Sequence, residues 1–177
     1  MRKGLVVYQS KYGATKKYAF WLAEAMGYDC LERREASAAV LMPYETIVYG
    51  GGIYASGIAG FSFLKKHAKL WKSKKHAVFC VGASAHDEKA FLEFCERHFK
   101  EELAGTRCFY CRGAWKESEM GLMDRTLCGM LRKAVGGKAP EEYEPWEKAL
   151  MSCPKGEDAD WTDRQELDPL IAYLKGL

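Results

Sequence analysis

Short runs of consecutive apolar residues alternate along the chain with longer stretches in which apolar positions recur every three or four residues. The first pattern is that of strands buried on both faces of a parallel sheet, and the second is that of helices covering it. The order reads βαβαβαβαβα, which predicts an α/β fold of three layers. Residues 4–8 (GLVVY) form the first strand. Residues 14–26 follow as a helix with Tyr18, Leu22, Ala25 and Met26 on its inner face and Gly27 as its stop.

Residues 28–33 give a weaker second strand, residues 46–49 a third and residues 77–81 (AVFCV) a fourth. A helix is expected from about residue 61 to 71. Another spans 88–99 with Phe91, Leu92, Cys95 and Phe99 in register, and residues 106–111 supply the fifth strand. The last helix opens on Thr162-Asp163-Arg164-Gln165, read as a capping box, and turns Leu167, Leu170, Ile171 and Leu174 inward. Between strand five and this helix lies an insertion at about residues 112–160, far longer than an ordinary βα loop. A specialised function is expected there.

A chain of 177 residues that is 48% apolar suits one domain with a proper core. Seven cysteines in no dense framework fit reduced thiols. No leader or membrane-spanning segment is drawn at the start of the chain, so a cytoplasmic protein is expected. A net charge of +3 is too mild to imply a nucleic-acid partner.

Ser10-Lys11-Tyr12-Gly13-Ala14-Thr15 joins the first strand to the first helix. A helix N-terminus offers unpaired N–H groups and a positive dipole end, and small hydroxyl residues beside a glycine let a phosphate approach. The competing reading is that Ser10 only caps the helix. The Gly-Lys-Ser/Thr ending of a nucleoside-triphosphate loop is absent, which favours a monophosphate. Gly50-Gly51-Gly52-Ile53-Tyr54-Ala55 formally matches the dinucleotide fingerprint, but the acidic residue expected about twenty positions on is replaced by Lys72-Ser73-Lys74-Lys75-His76. The better reading is a flexible loop after strand three in which Tyr54 offers a flat ring to a heterocycle, against simple packing of Tyr54 on its own loop.

With the strand leading into S-K-Y-G-A-T and a later strand ending in G-G-G-I-Y-A-S-G, the chain resembles the flavodoxins. It is most similar to the flavodoxin-domain branch that includes the menaquinone-dependent protoporphyrinogen dehydrogenases, through C-R-G-A-W, M-D-R-T-L-C-G-M-L-R-K-A-V-G-G and D-W-T-D. The resemblance implies a flavodoxin-like five-stranded parallel sheet in the order 2-1-3-4-5 with helices on both faces. It implies flavin mononucleotide (FMN) as cofactor, with the phosphate at Ser10, Lys11, Tyr12, Gly13, Ala14 and Thr15. The isoalloxazine would then lie between Gly52, Ile53, Tyr54, Ala55 and Ser56 on one side and Ala83, Ser84, His86 and Asp87 on the other. The third loop of electron-carrier flavodoxins carries acidic and aromatic residues around the flavin where this chain reads Gly82-Ala83-Ser84-Ala85-His86-Asp87, and the chain is basic where those carriers tend to be acidic.

Other residues carry weaker signals. Cys108 and Cys111 face opposite sides of a strand and read as packed thiols. His86 is a candidate proton donor or acceptor beside a flavin, against a solvated loop histidine. The basic run from Lys65 to Lys75 reads as a solvated face. Met120, Met123, Leu127, Met130, Leu131 and Ala134 fall at helical spacing, and Asp124, Arg125, Arg132 and Lys133 keep that helix from crossing a membrane. It either packs on its own domain or meets a substrate, a quinone or a membrane surface through residues 120–135. The expected function is an FMN-dependent oxidoreductase exchanging electrons with a redox partner or a small molecule such as a quinone or porphyrinogen. The alternatives are a flavodoxin-type soluble electron carrier and a flavin-free binding module.

Overall fold

The computed structural model of the chain describes residues 2–54 and 57–176. In chain order its elements are β1 (Arg2–Gln9), α1 (Ala14–Met26), β2 (Asp29–Glu32), α2 (Ala38–Leu41), β3 (Tyr44–Tyr54), β4 (Gly57–Ile58), α3 (Phe61–Lys66) and α4 (Ala68–Lys72). They continue as β5 (Lys75–Gly82), α5 (Glu88–His98), β6 (Cys108–Arg112), β7 (Ala114–Lys116), α6 (Leu122–Val135), α7 (Pro145–Ser152), β8 (Asp158–Asp160) and α8 (Asp168–Gly176). The principal strands pair in parallel in the order β2-β1-β3-β5-β6, and β4 adds antiparallel to the end of β3. Counted among the principal strands alone, this is the expected 2-1-3-4-5 arrangement.

Alternate side chains of each strand enter opposite layers. Leu5, Val7, Ile47, Tyr49, Val78 and Cys80 pack with Phe63, Leu64, Trp71 and Phe94 from α3, α4 and α5. Val6, Tyr8, Val48, Phe79, Val81 and Cys111 pack with Tyr18, Leu22, Leu170 and Leu174 from α1 and α8. Cys108 lies against the first layer and Cys111 in the second, on opposite faces as their spacing requires. A relation that strand spacing does not reveal is that the Cys80 and Cys108 sulfurs, on adjacent strands, approach to 3.4 Å.

Several boundaries differ from the sequence reading. The expected helix over 61–71 is divided at His67, whose φ of −109° leaves the helical region. On α5 Leu92 is exposed and Phe94 takes the inner position, and on α1 Ala23 rather than Ala25 faces inward. Thr162 does not cap the last helix. Asp163 accepts from the Gln165 N–H at 2.9 Å and opens a 3-10 turn that leads into α8, while the Thr162 hydroxyl donates to Asp160 at 2.7 Å. The fifth principal strand begins at Cys108 rather than at residue 106.

The largest change concerns Gly50 to Tyr54, expected as a flexible loop and found inside β3. The glycines are there because neighbouring side chains occupy the space a Cβ would need. At Gly50 a Cβ would meet the Phe79 ring at 2.1 Å, and at Gly51 the Ile58 side chain at 2.5 Å. At Gly52 the Tyr54 ring folds back to 2.6 Å. Close lateral packing, rather than approach to a pyrophosphate, accounts for the run.

The insertion forms a small structure of its own. β7 and β8 pair antiparallel, joining its two ends through Trp115 and Ala159. Arg132 of α6 donates to the Leu150 and Cys153 carbonyls at 2.6 and 2.5 Å and to Glu117 at 3.0 Å, so one guanidinium ties α6 to α7 and to the segment after β7. Burial pushes the Glu117 carboxyl up, but hydrogen bonds from Trp115, the Gly156 N–H and Arg132 outweigh it and hold the group below its ordinary value. The side chains are 15% and 7% exposed, so losing either partner would strand a buried charge.

Gly50→Ala is expected to destabilise the chain by about 1–3 kcal/mol, because the added methyl overlaps a fully buried ring. Urea unfolding followed by circular dichroism measures this, and an unchanged midpoint would show that Phe79 moves aside freely.

Candidate functional site

The chain leaves β1 at Gln9 and turns into α1 through Ser10 to Gly13. Gly13 has φ of 88°, a left-handed conformation that L side chains avoid, although a Cβ there would touch nothing. The Ser10 hydroxyl accepts the Gly13 N–H at 3.1 Å, and the first helical bond runs from the Lys17 N–H to the Gly13 carbonyl at 2.9 Å. The N–H groups of Ala14, Thr15 and Lys16 therefore precede any intrahelical acceptor and lie at the positive end of a 13-residue helix. Thr15 is buried at this end, beside Ala14.

That helix end opens into a cavity of about 730 Å³ beyond the carboxyl ends of the principal strands. The order of the sheet reverses between β1 and β3, which is where ligands bind in open parallel sheets. Lys11, Tyr12, Ala14 and Thr15 form one wall, Ile53 and Tyr54 a second, and residues 82–87 with Tyr110 a third. Tyr12 and Tyr54 meet edge to face at 6.2 Å, and His86 stacks on Tyr110 with centroids 5.4 Å apart. A further wall belongs to the insertion, with Trp115, Met120, Asp124, Leu127, Trp146 and Leu150, and α5 adds Ala90, Phe91 and Phe94. A smaller cavity of about 350 Å³ between Arg112, Cys153 and Trp161 is lined by none of residues 10–15, 53–54 or 82–87.

Of the residues expected to hold a cofactor, Lys11, Tyr12, Ala14, Thr15, Ile53, Tyr54, Ala83, Ser84, His86 and Asp87 converge on this one space. Ser10 and Gly13 stand behind it and set the turn, and Gly52 lies beneath the Tyr54 ring within β3. Ala55 and Ser56 lie outside the described residues. Asp87 also accepts the Ala90 N–H at 2.8 Å and so starts α5. This donor set beside aromatic walls, with a helix N-terminus at one end, fits an elongated ligand with a phosphate at one end and a flat ring at the other.

In the sequence Asp124 reads only as a charge that bars membrane crossing. In the structure it reaches back from α6 to the loop after β1, accepting from Lys11 at 2.5 Å and from the Tyr12 hydroxyl. The hydrogen bond from Lys11, then that from Tyr12, hold its carboxyl below the ordinary aspartate value. A carboxylate thus occupies the cation that faces the helix end. No spacing rule links residues so far apart in the chain. The Trp115 wall was at least marked in the sequence, inside the C-R-G-A-W segment.

A family model described as a flavodoxin domain matches residues 5–141. Among solved structures, the chain is similar to a flavodoxin from the domain Archaea, at 18% identity over 62% of this chain and 81% of that one, with a TM-score of 0.44. It is similar to the two-electron reduced flavodoxin of Megasphaera elsdenii at 17% identity over 60% and 82% of the two chains, with a TM-score of 0.45. A WrbA-like flavodoxin protein from Agrobacterium tumefaciens shares 22% identity over 70% and 88%, with a TM-score of 0.45. No curated protein matches.

Because its folded value is lowered, the Asp124 contact contributes above the ordinary aspartate value of 3.8 and is lost as pH falls through the lowered one. Asp124→Asn at neutral pH is therefore expected to loosen α6 as acid does in the native chain, read as faster proteolytic cutting within residues 122–135. The same change should strengthen binding of inorganic phosphate about two- to fivefold, the scale of a partly exposed ion pair. Slower cutting, or weaker phosphate binding, would contradict the competition of Asp124 with an anion for Lys11.

Proposed function

The chain belongs to the flavodoxin-domain family, and from that premise we propose that it is an FMN-dependent oxidoreductase whose insertion controls what reaches the flavin. One observation carries the reading: the bare N-terminus of α1, the Ile53–Tyr54 end of β3 and the loop after β5 face a common cavity. The Ala14 and Thr15 N–H groups, the Thr15 hydroxyl and the Lys11 ammonium would hold the phosphate, on a turn whose shape Ser10 and Gly13 fix. Ile53 and Tyr54 would cover one side of the isoalloxazine, and Ala83, Ser84, His86 and Asp87 the other. Bound FMN supplies the electron-transfer chemistry, and the protein supplies placement and electrostatics. His86, exposed at the cavity wall, is the side chain positioned to give or take a proton at its ring nitrogen.

The finer reading is electron exchange with a quinone or porphyrinogen, in the manner of the protoporphyrinogen dehydrogenase branch. Supporting it, Leu127 and Trp146 both line the cavity and emerge at its rim, at 46% and 46% exposure. Leu122, Met123 and Met130 continue the apolar surface along α6 at 83%, 86% and 58% exposure. Packing on the same domain would have buried them, so this helix face is free for an apolar substrate or for contact with a membrane surface. Among the described residues no helix is long and apolar enough to cross a membrane. The runner-up, a simple electron carrier, is less favoured because such a carrier exposes its flavin edge to partners, whereas here the insertion walls the cavity.

The purified chain is expected to take up FMN with the visible absorption of a bound flavin. Thr15→Ala should weaken that binding by about 1–3 kcal/mol, since it deletes a hydrogen bond to a charged group. Ser10→Ala should cost less, acting only through the turn. FMN titration by fluorescence quenching decides, and a colourless chain that takes up no FMN supports the flavin-free binding module instead.

Replacing Met123 and Met130 by glutamate should abolish turnover of a long-tailed quinone or a porphyrinogen while sparing FMN binding, because an unpaired charge facing an apolar partner costs several kcal/mol. Steady-state kinetics beside flavin titration tests this. Wild-type turnover of such substrates by the double variant would remove the α6 face from the substrate path.

A further inference from the structure

Thiols from three elements meet in the core layer that the sheet shares with α5. Cys80 of β5 is fully buried there, and Cys95 of α5 and Cys108 of the edge strand β6 pack against the same layer with partial exposure. The Cys108 sulfur lies 3.4 Å from that of Cys80 and also hydrogen-bonds the Cys95 thiol, so it is the common neighbour of both. Among the described residues no group of three His, Cys, Asp or Glu side chains is arranged to hold a metal ion, which leaves the thiols their own redox chemistry.

Strand register decides which pair can bridge. Cys108 stands opposite Val78, two residues before Cys80. A strand spacing of about 4.8 Å and a rise of about 3.3 Å per residue then put the Cys80 and Cys108 Cα atoms roughly 8 Å apart. A disulfide spans at most about 7 Å between Cα atoms, so these two thiols touch but cannot join unless the backbone moves. Cys95 arrives from the helix layer and is free of that register. It is also the thiol prepared to react. The hydrogen bond from Cys108 holds it below the ordinary thiol value and outweighs its burial, whereas burial, then the bonds with Cys80 and Cys95, push the Cys108 thiol up.

We propose that Cys95 and Cys108 form an oxidation site for hydroperoxides, in which Cys95 takes the oxidising equivalent and Cys108 closes a reversible disulfide between α5 and β6. In the first step the Cys95 thiolate attacks one peroxide oxygen. An S–O bond forms, the O–O bond breaks, and the leaving oxygen takes the proton that Cys95 gave up. In the second step the Cys108 sulfur attacks that of Cys95. The S–S bond forms, the S–O bond breaks, and the departing hydroxide leaves as water with the Cys108 proton. Two thiols and one hydroperoxide thus become a disulfide, an alcohol and a water, with the sulfurs losing the two electrons that the peroxide gains. Because Ala90, Phe91 and Phe94 of the same helix line the large cavity, the bridge would fix that wall against the sheet in the presence of oxidant. The pair includes none of the residues assigned to the flavin, so the site stands whether or not FMN binds.

Hydrogen peroxide is the probe, added in slight molar excess to the folded full chain and followed by alkylation, tryptic digestion and mass spectrometry. The three thiols fall in separate tryptic peptides, 76–89, 90–97 and 108–112, and fragmentation of the last separates Cys108 from Cys111. The expected product is 90–97 joined to 108–112 through Cys108, undone by dithiothreitol. Cys95→Ser should abolish that link. A link between 76–89 and 108–112 in its place, Cys95 oxidised to the sulfinate with no bridge, Cys95 left unoxidised, or a bridge that forms only in urea overturns the proposal. Each of these outcomes is read on the native chain, so the test holds even if the variant folds poorly.

Discussion

The parallel pairing of β1 with β3 is the interaction on which the site depends. Its register runs from Arg2 opposite Tyr44 to Gln9 opposite Gly51, so β3 continues from Gly52 to Tyr54 past the end of β1, beside the turn that opens α1. The loop that opens α1 and the segment carrying Tyr54 consequently emerge side by side. With β2 on one side and β5 on the other, the strand order reverses at this pair and the crossover helices diverge, leaving a crevice. The glycines of β3 preserve the pairing by letting Phe79 and Ile58 pack against the strand without pushing it out of register. A slip of one residue would turn Val6 and Val7 to the wrong layers and separate the two loops.

Electrostatics at the crevice are balanced rather than maximised. The α1 N-terminus and Lys11 make one end attractive to an anion, and Asp124 returns part of that charge. The pair is half open to water, with side chains 51% and 33% exposed, so it contributes modestly to stability while still deciding which acceptor Lys11 meets. The insertion is thus coupled to the opposite end of the same cavity whose roof it forms. Its internal structure is firmer. The buried Arg132 and Glu117 and the β7–β8 pairing hold α6 and α7 together as a unit, and Asp124 is one point at which that unit touches the first loop.

This division places adaptability where substrates would enter. The sheet and its two layers are filled by fully buried side chains such as Tyr18, Tyr49, Trp71 and Phe79, which fixes the segments proposed to hold the cofactor. The α6 face is built from methionine and leucine left in solvent, side chains that accommodate varied apolar surfaces at small cost. Rigid placement at one end of the cavity and an adaptable rim at the other suit a protein that keeps one cofactor and exchanges other molecules against it.

Local pattern was enough to reveal the alternation of strands and helices, the turn at Ser10 to Gly13 that opens α1, the opposite facing of Cys108 and Cys111 and the existence of the insertion. Each depends on residues near one another in the chain, on helical or strand periodicity, or on the loss of a helix's hydrogen-bond partners at its end. What failed locally were the ends of elements. The Gly50–Tyr54 stretch looked like a loop because glycine is a poor strand former, and only the facing Phe79 ring and Ile58 side chain explain why it is extended. Thr162 carried the features of a helix cap, yet Lys17 and Asp160, one of them 145 positions away, claimed its hydroxyl. The meeting of Asp124 with Lys11 and the contact of Cys80 with Cys108 were decided by tertiary structure alone. Such contacts arise when the chain folds back on itself, and no local periodicity encodes which distant side chain arrives.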